Sequence, residues 1–169
     1  MSVRYHNFGG VIGWNLQKYF PMLSSDSYLK LQRSTRNKLQ KEYIDYFLST
    51  GEPPMPLVVN LETINRCNST CSFCTANKNA EKRPYKRMED SLFYSIIDQL
   101  AEWGYTGHLT LYGNNEPFLD TRIVEFHKYC REKLPHSFIF LSSNGLLLTV
   151  DKVKEIIPYV NQLIINNYC

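Results

Sequence analysis

The sequence predicts an α/β fold built from repeated strand–helix units, with a small, mostly helical segment in front. Three observations predict it. Four short, mostly apolar segments have strand length, at 57–61, 108–112, 137–141 and 162–166. Between them lie stretches in which apolar residues recur at helical spacing. A break rich in glycine and proline, Gly51-Glu52-Pro53-Pro54-Met55-Pro56, separates this region from what precedes it. Strands joined by crossover helices are parallel, and repeating the unit gives either an open sheet or a barrel.

Taken in order, Phe8-Gly9-Gly10-Val11-Ile12 reads as a short hairpin. A helix is expected over 26–49, where Leu29, Leu39, Tyr43, Ile44, Phe47 and Leu48 fall near helical spacing. The boundary then divides an N-terminal extension, 1–55, from the main unit, 56–169. Leu57-Val58-Val59-Asn60-Leu61 is the first strand. The next helix runs over about 89–103, with Leu92, Phe93, Ile96, Ile97 and Leu100 on one face and Gly104 as its stop. His108-Leu109-Thr110-Leu111-Tyr112 is the second strand. Asp120 is expected to cap a helix carrying Ile123, Val124, Phe126 and Leu134, which Pro135 ends. Ser137-Phe138-Ile139-Phe140-Leu141 is the third strand. Thr149 caps a short helix with Val153, Ile156 and Ile157, and Gln162-Leu163-Ile164-Ile165-Asn166 is the fourth strand. The sequence ends directly after that strand, which predicts an uncovered sheet edge and a longer or truncated parent protein.

Composition limits what such a chain does. At 169 residues, 43% hydrophobic and 14% aromatic, it has enough apolar surface to order itself, which excludes a disordered chain. No apolar run reaches the roughly 18 residues of a spanning helix, so no membrane association is expected, and the N-terminus lacks the pattern of a signal peptide. A net charge of +3 is too small to argue for nucleic acid. Five cysteines, an odd number without an export signal, argue against a disulfide framework and for a reducing cytoplasmic setting.

Three of those cysteines lie together in Cys67-Asn68-Ser69-Thr70-Cys71-Ser72-Phe73-Cys74, a loop directly after the first strand. Thiols at this spacing can converge on one inorganic centre, and two kinds compete. A closed zinc site wants a fourth ligand, for which Cys130 or His127 on a later helix are the candidates. An iron–sulfur cluster held by three thiolates keeps one iron open to another ligand. Cys130 by itself reads as a packed core thiol. The basic run of Lys78, Lys82, Arg83, Lys86 and Arg87 reads as a solvated loop, with the docking of an acidic electron donor as the competing reading.

The run CNSTCSFC, with an aromatic residue just before the third cysteine, resembles the signature loop of radical SAM enzymes. Three further elements are similar to that family's motifs and come in the same order. Gly113-Asn114-Asn115-Glu116-Pro117 follows the second strand and resembles a GGEP-type motif, with Asn115 replacing the usual glycine. Ser142-Ser143-Asn144-Gly145 follows the third strand and is similar to the T-N-G element. Asn166 ends the fourth strand, where the family often places a polar residue toward the cofactor ribose. Taken alone, the second and third elements would read as ordinary turns.

The resemblance covers about 57–169 and implies a partial (β/α) barrel of the TIM type, here incomplete with about four strands. It implies that Cys67, Cys71 and Cys74 bind three irons of a 4Fe-4S cluster, and that S-adenosyl-L-methionine chelates the fourth. One-electron reduction would then cleave the cofactor to a 5′-deoxyadenosyl radical that abstracts hydrogen from a substrate. It further implies that Phe73 shelters the cluster, that Gly113, Asn115 and Glu116 receive the methionyl ammonium, and that Ser143, Asn144 and Asn166 add cofactor contacts. No side chain is assigned to the hydrogen abstraction itself. The implied partners are a one-electron donor of flavodoxin or ferredoxin type and a substrate of peptide or protein class. A zinc-stabilised binding module and an inactive truncated relic are the alternatives. With later strands missing, the chain is expected to self-associate and to turn over its cofactor slowly or not at all.

Overall fold

The structure, a computed structural model, describes residues 25–74 and 83–166. The chain divides into two compact units, Met1–Met55 and Pro56–Cys169. In the first, one helix, α1 (Ser25–Thr50), fills most of the described length. Among its described apolar side chains, Ile44 and Phe47 are exposed, and Leu48 is 76% exposed. The Tyr43 hydroxyl donates to the carbonyls of Pro54 (2.7 Å) and Met55 (2.9 Å), which ties the proline-rich segment back to the helix. The hairpin expected at Phe8–Ile12 and the side chains of Leu29 and Leu39 lie outside the described residues.

The second unit is a four-stranded parallel sheet. Its strands are β1 (Val58–Asn60), β2 (His108–Thr110), β3 (Phe138–Ser143) and β4 (Gln162–Ile165), and they neighbour one another in chain order. Val59 pairs with Leu109, Leu109 with Ile139, and Leu141 with Leu163. Doubly wound open sheets reverse their strand order at a switch point, whereas a (β/α) barrel adds each strand beside the last. The order here is that of an incomplete barrel of the TIM type.

The crossovers are α2 (Asp90–Glu102), α3 (Ile123–Lys133) and α4 (Val150–Ile156). In α2 the spacing of Phe93, Ile97 and Leu100 places all three on the buried face, while Leu92 falls outside the stripe and is exposed. Gly104 ends the helix at a φ of +66°, where a side chain would be strained. Its N–H reaches the Ala101 carbonyl and that of Tyr105 reaches Leu100, closing a Schellman turn. Leu109, Leu111, Ile139 and Leu141 alternate along the sheet and are fully buried with these helices. Phe93 stacks on Phe126 with ring centroids 3.8 Å apart. Each such side chain contributes about 1.5–3 kcal/mol through burial.

Two expectations are corrected here. Asp120 does not cap α3; Arg122 holds the N-cap position and makes no side-chain cap bond. Asp120 closes the 3₁₀ turn Pro117–Leu119, and Thr121 and Arg122 form a turn between it and the first residue of α3. The Asp120 carboxylate instead grips Arg122, accepting from its backbone N–H (3.1 Å), Nε (2.9 Å) and Nη2 (2.7 Å). Burial pushes this carboxyl up, but the Arg122 hydrogen bonds outweigh it and hold it below the usual range. The second correction concerns Ser142 and Ser143, which are the last residues of β3 and not part of the following loop. Thr149 does cap α4, its hydroxyl accepting from the Lys152 N–H at 3.2 Å.

Candidate functional site

A parallel sheet of this kind leaves the loops after its strands on one side, at the C-terminal ends. A cavity of about 150 Å³ lies there. Its lining includes every residue that the resemblance assigns to the cluster or the cofactor: Cys67, Cys71, Phe73, Cys74, Gly113, Asn115, Glu116, Ser143, Asn144 and Asn166. Ser69, Tyr112, Asn114 and Ser142 line it too. Ser69, Asn114 and Ser142 belong to the quoted motifs without an assigned role, and Tyr112 ends the expected second strand directly before Gly113.

The cysteine loop leaves β1 and turns sharply at its end, where the Cys74 N–H donates to the Cys71 carbonyl at 3.1 Å. The three thiols are partly exposed and free of disulfides, and Phe73 beside them is 65% exposed. Among the described residues, no three His, Cys, Asp or Glu side chains are gathered closely enough to hold a single metal ion. Cys130 and His127 do not join the loop: both are fully buried on α3. Burial pushes the Cys130 thiol up and lowers His127 to about 4, and His127 Nδ1 is spent on the Ile123 carbonyl at 2.7 Å. Neither supplies the fourth ligand that a closed zinc site needs.

Glu116 joins three loops. Its backbone N–H donates to the Arg66 carbonyl at 2.8 Å, immediately before Cys67. Its side chain is almost fully buried, 1% exposed as a residue. One carboxylate oxygen accepts from the Ser143 hydroxyl (2.8 Å) and the Phe118 N–H (3.2 Å), and the other accepts from the Asn144 N–H (2.8 Å). The carboxylate therefore caps the 3₁₀ turn after it and fastens the end of β2 to the end of β3.

Asn144 continues this network. Its side-chain nitrogen donates to Asn68 Oδ1 (2.8 Å) and Ser69 Oγ (2.9 Å), and lies 3.8 Å from Cys67 Sγ. Gly145 follows at a φ of +78°, and a Cβ there would stand 2.8 Å from Ile165 Cγ2 on the neighbouring strand, so this turn requires glycine. Asn166 extends the ladder through its N–H to the Ser143 carbonyl, and its amide donates to Ser142 Oγ at 2.6 Å. Asn115 Oδ1 accepts from the Gly113 N–H at 2.9 Å, while its amide nitrogen is buried without a partner among the described residues. Glu62, just past β1, accepts from the Asn114 N–H at 2.9 Å. It was not flagged from sequence, although its place at a strand's C-terminal end is a usable signal.

Thiols are the ligand type that iron–sulfur clusters take, and here they share a cavity with polar side chains. The three thiols are free, and the Asn115 amide nitrogen on the same cavity has no hydrogen-bond partner among the described residues. Lys78 and Lys82 of the basic run lie outside the described residues; Lys86 and Arg87 are exposed, whereas Arg83 is half-buried, with its Nε and Nη2 buried and unpartnered among the described residues.

Comparison with known proteins agrees with this geometry. A model of the Radical SAM superfamily matches residues 61–166. The S-adenosyl-L-methionine-dependent 2-deoxy-scyllo-inosamine dehydrogenase of Niallia circulans is 22% identical over 99 residues, covering 59% of this chain and 39% of that protein. Among solved structures, BtrN in complex with AdoMet and 2-DOIA superposes with a TM-score of 0.61 at 19% identity, over 68% of this chain and 46% of that one. BtrN in an open conformation gives 0.59 at 19% identity, over 66% and 50%. The chain thus spans about half or less of the length of these relatives. With the family match extending from the end of β1 to the end of β4, the chain belongs to the radical SAM superfamily.

Proposed function

We propose that Cys67, Cys71 and Cys74 hold a 4Fe-4S cluster and that the adjoining polar loops hold S-adenosyl-L-methionine against it. The observation that carries this reading is the convergence, on one cavity, of three free thiols with the polar ends of β2, β3 and β4. When bound, the pair supplies reductive cleavage of the sulfonium to methionine and a 5′-deoxyadenosyl radical. The chain's own residues bind and orient. Asn115 would offer its unpartnered amide nitrogen to the methionyl end, Gly113 and Glu116 would frame that end, and Phe73 would shelter the cluster. Ser143 and Asn144 would form part of the cofactor wall, and Asn166, whose amide is held by Ser142, would contact the ribose.

In this reading, 56–169 is the N-terminal part of a radical SAM core and 1–55 an extension before it. A flavodoxin- or ferredoxin-type protein supplies the electron, in a cytoplasmic setting that keeps the thiols reduced. Two substrate classes merit assay: peptides, from the sequence resemblance, and small amino-cyclitols, from the dehydrogenase relative.

The test is electron paramagnetic resonance of the anaerobically reconstituted, dithionite-reduced chain with and without S-adenosyl-L-methionine. Coordination to an open iron changes the cluster's signal, whereas an unchanged signal at saturating cofactor overturns the proposal.

A further inference from the structure

We infer that Asn144 is a positioning residue for the cluster: its amide clamps the cysteine loop and donates toward the Cys67 sulfur, favouring the reduced state. The inference rests on the proposed cluster. Two amide hydrogens face three acceptors, Asn68 Oδ1 at 2.8 Å, Ser69 Oγ at 2.9 Å and Cys67 Sγ at 3.8 Å, so the sulfur shares a hydrogen with an oxygen. The first two contacts fix the residues directly after Cys67, and the third reaches a proposed ligand atom.

The side chain is itself held in place. Its Oδ1 accepts from the Leu146 N–H at 3.0 Å, and its backbone N–H is bound by the buried Glu116 carboxylate at 2.8 Å. On the other side, the Arg66 carbonyl before Cys67 receives the Glu116 N–H. Cys67 is therefore bracketed, by backbone on one flank and by the Asn144 amide on the other, and both restraints lead back to Glu116. A donor fixed in this way needs no reorganisation when charge arrives. Reduction adds negative charge to a cluster and its thiolates, and hydrogen bonds to the sulfurs are among the factors that set its potential. An N–H directed at the sulfur stabilises the added charge, so removing it moves the potential to a more negative value.

The test is the midpoint potential of the reconstituted 169-residue chain, measured without S-adenosyl-L-methionine so that cofactor contacts play no part. Asn144→Ala removes the donor. Loss of one ordinary hydrogen bond makes reduction up to about tenfold less favourable, or about 59 mV more negative for one electron. Asn144→Asp keeps the oxygen that accepts from Leu146, loses the N–H donors and adds charge, so it should move the potential further the same way. If the alanine variant does not fold by circular dichroism, the aspartate variant decides. A folded variant that takes up less iron than the parent supports the clamp. Potentials equal to or more positive than the parent's, in variants that fold and load normally, overturn the inference. A parent chain that binds no cluster defeats the proposed function instead.

Discussion

Replacing Glu116 by alanine separates two roles for this residue, a receptor for cofactor and a bolt between strand ends. The substitution strips the acceptor from three donors at once: Ser143 Oγ, the Phe118 N–H and the Asn144 N–H. The hydroxyl can rotate to another partner, but the two backbone N–H groups cannot. Each buried donor left unsatisfied costs about 1–3 kcal/mol, so the chain without any cofactor should lose about 2–6 kcal/mol. Glu116→Gln keeps one acceptor and turns an NH₂ toward one set of donors, so its loss should be about 1–3 kcal/mol. A carboxylate kept only for a ligand predicts the opposite sign, because removing a buried charge relieves a desolvation penalty. Urea unfolding of the cofactor-free chain measures the difference. Stability within about 0.5 kcal/mol of the parent in Glu116→Ala, a change of ordinary surface-substitution size, would refute the bolt.

Two further outcomes follow from the core. His127 stays neutral when folded because burial lowers it to about 4, against about 6.5 when unfolded. Between those values the unfolded chain binds more protons, so stability rises with pH and is lost on acidification. The loss is about 3 kcal/mol from pH 6.5 to 4, and urea midpoints across that range should show a slope that flattens in His127→Gln. Phe93→Ala removes one ring of a fully buried stacked pair and should cost about 3–5 kcal/mol by the same assay, with a smaller loss showing that the core collapses around the gap.

The sheet was legible because each strand is a short apolar segment bounded by turn formers, and crossover helices leave parallel pairing as the only economical arrangement. The residues lining the cavity were legible for a related reason, since motifs placed directly after parallel strands share one end of the sheet. Side-chain partnership was not. Nothing near Glu116 in sequence announces Ser143 and Asn144, which lie 27 and 28 residues onward and arrive through the pairing of β2 with β3. The helix expected over 26–49 is present as α1, Ser25–Thr50. Asp120 was misassigned since an acidic residue before an apolar run fits a cap equally well as an arginine clamp one turn earlier.

The central claim is that three thiols on this cavity hold an iron–sulfur cluster. Anaerobic reconstitution with iron and sulfide, followed by counting both per chain, tests it most directly. The account predicts about four of each, a brown protein with thiolate-to-iron absorption near roughly 400 nm, and loss of both in Cys67→Ala, Cys71→Ala or Cys74→Ala. Cys130→Ala, which alters only a buried core thiol, should retain the full cluster. Stoichiometric zinc in place of iron, or equal loss of iron from Cys130→Ala, would contradict it.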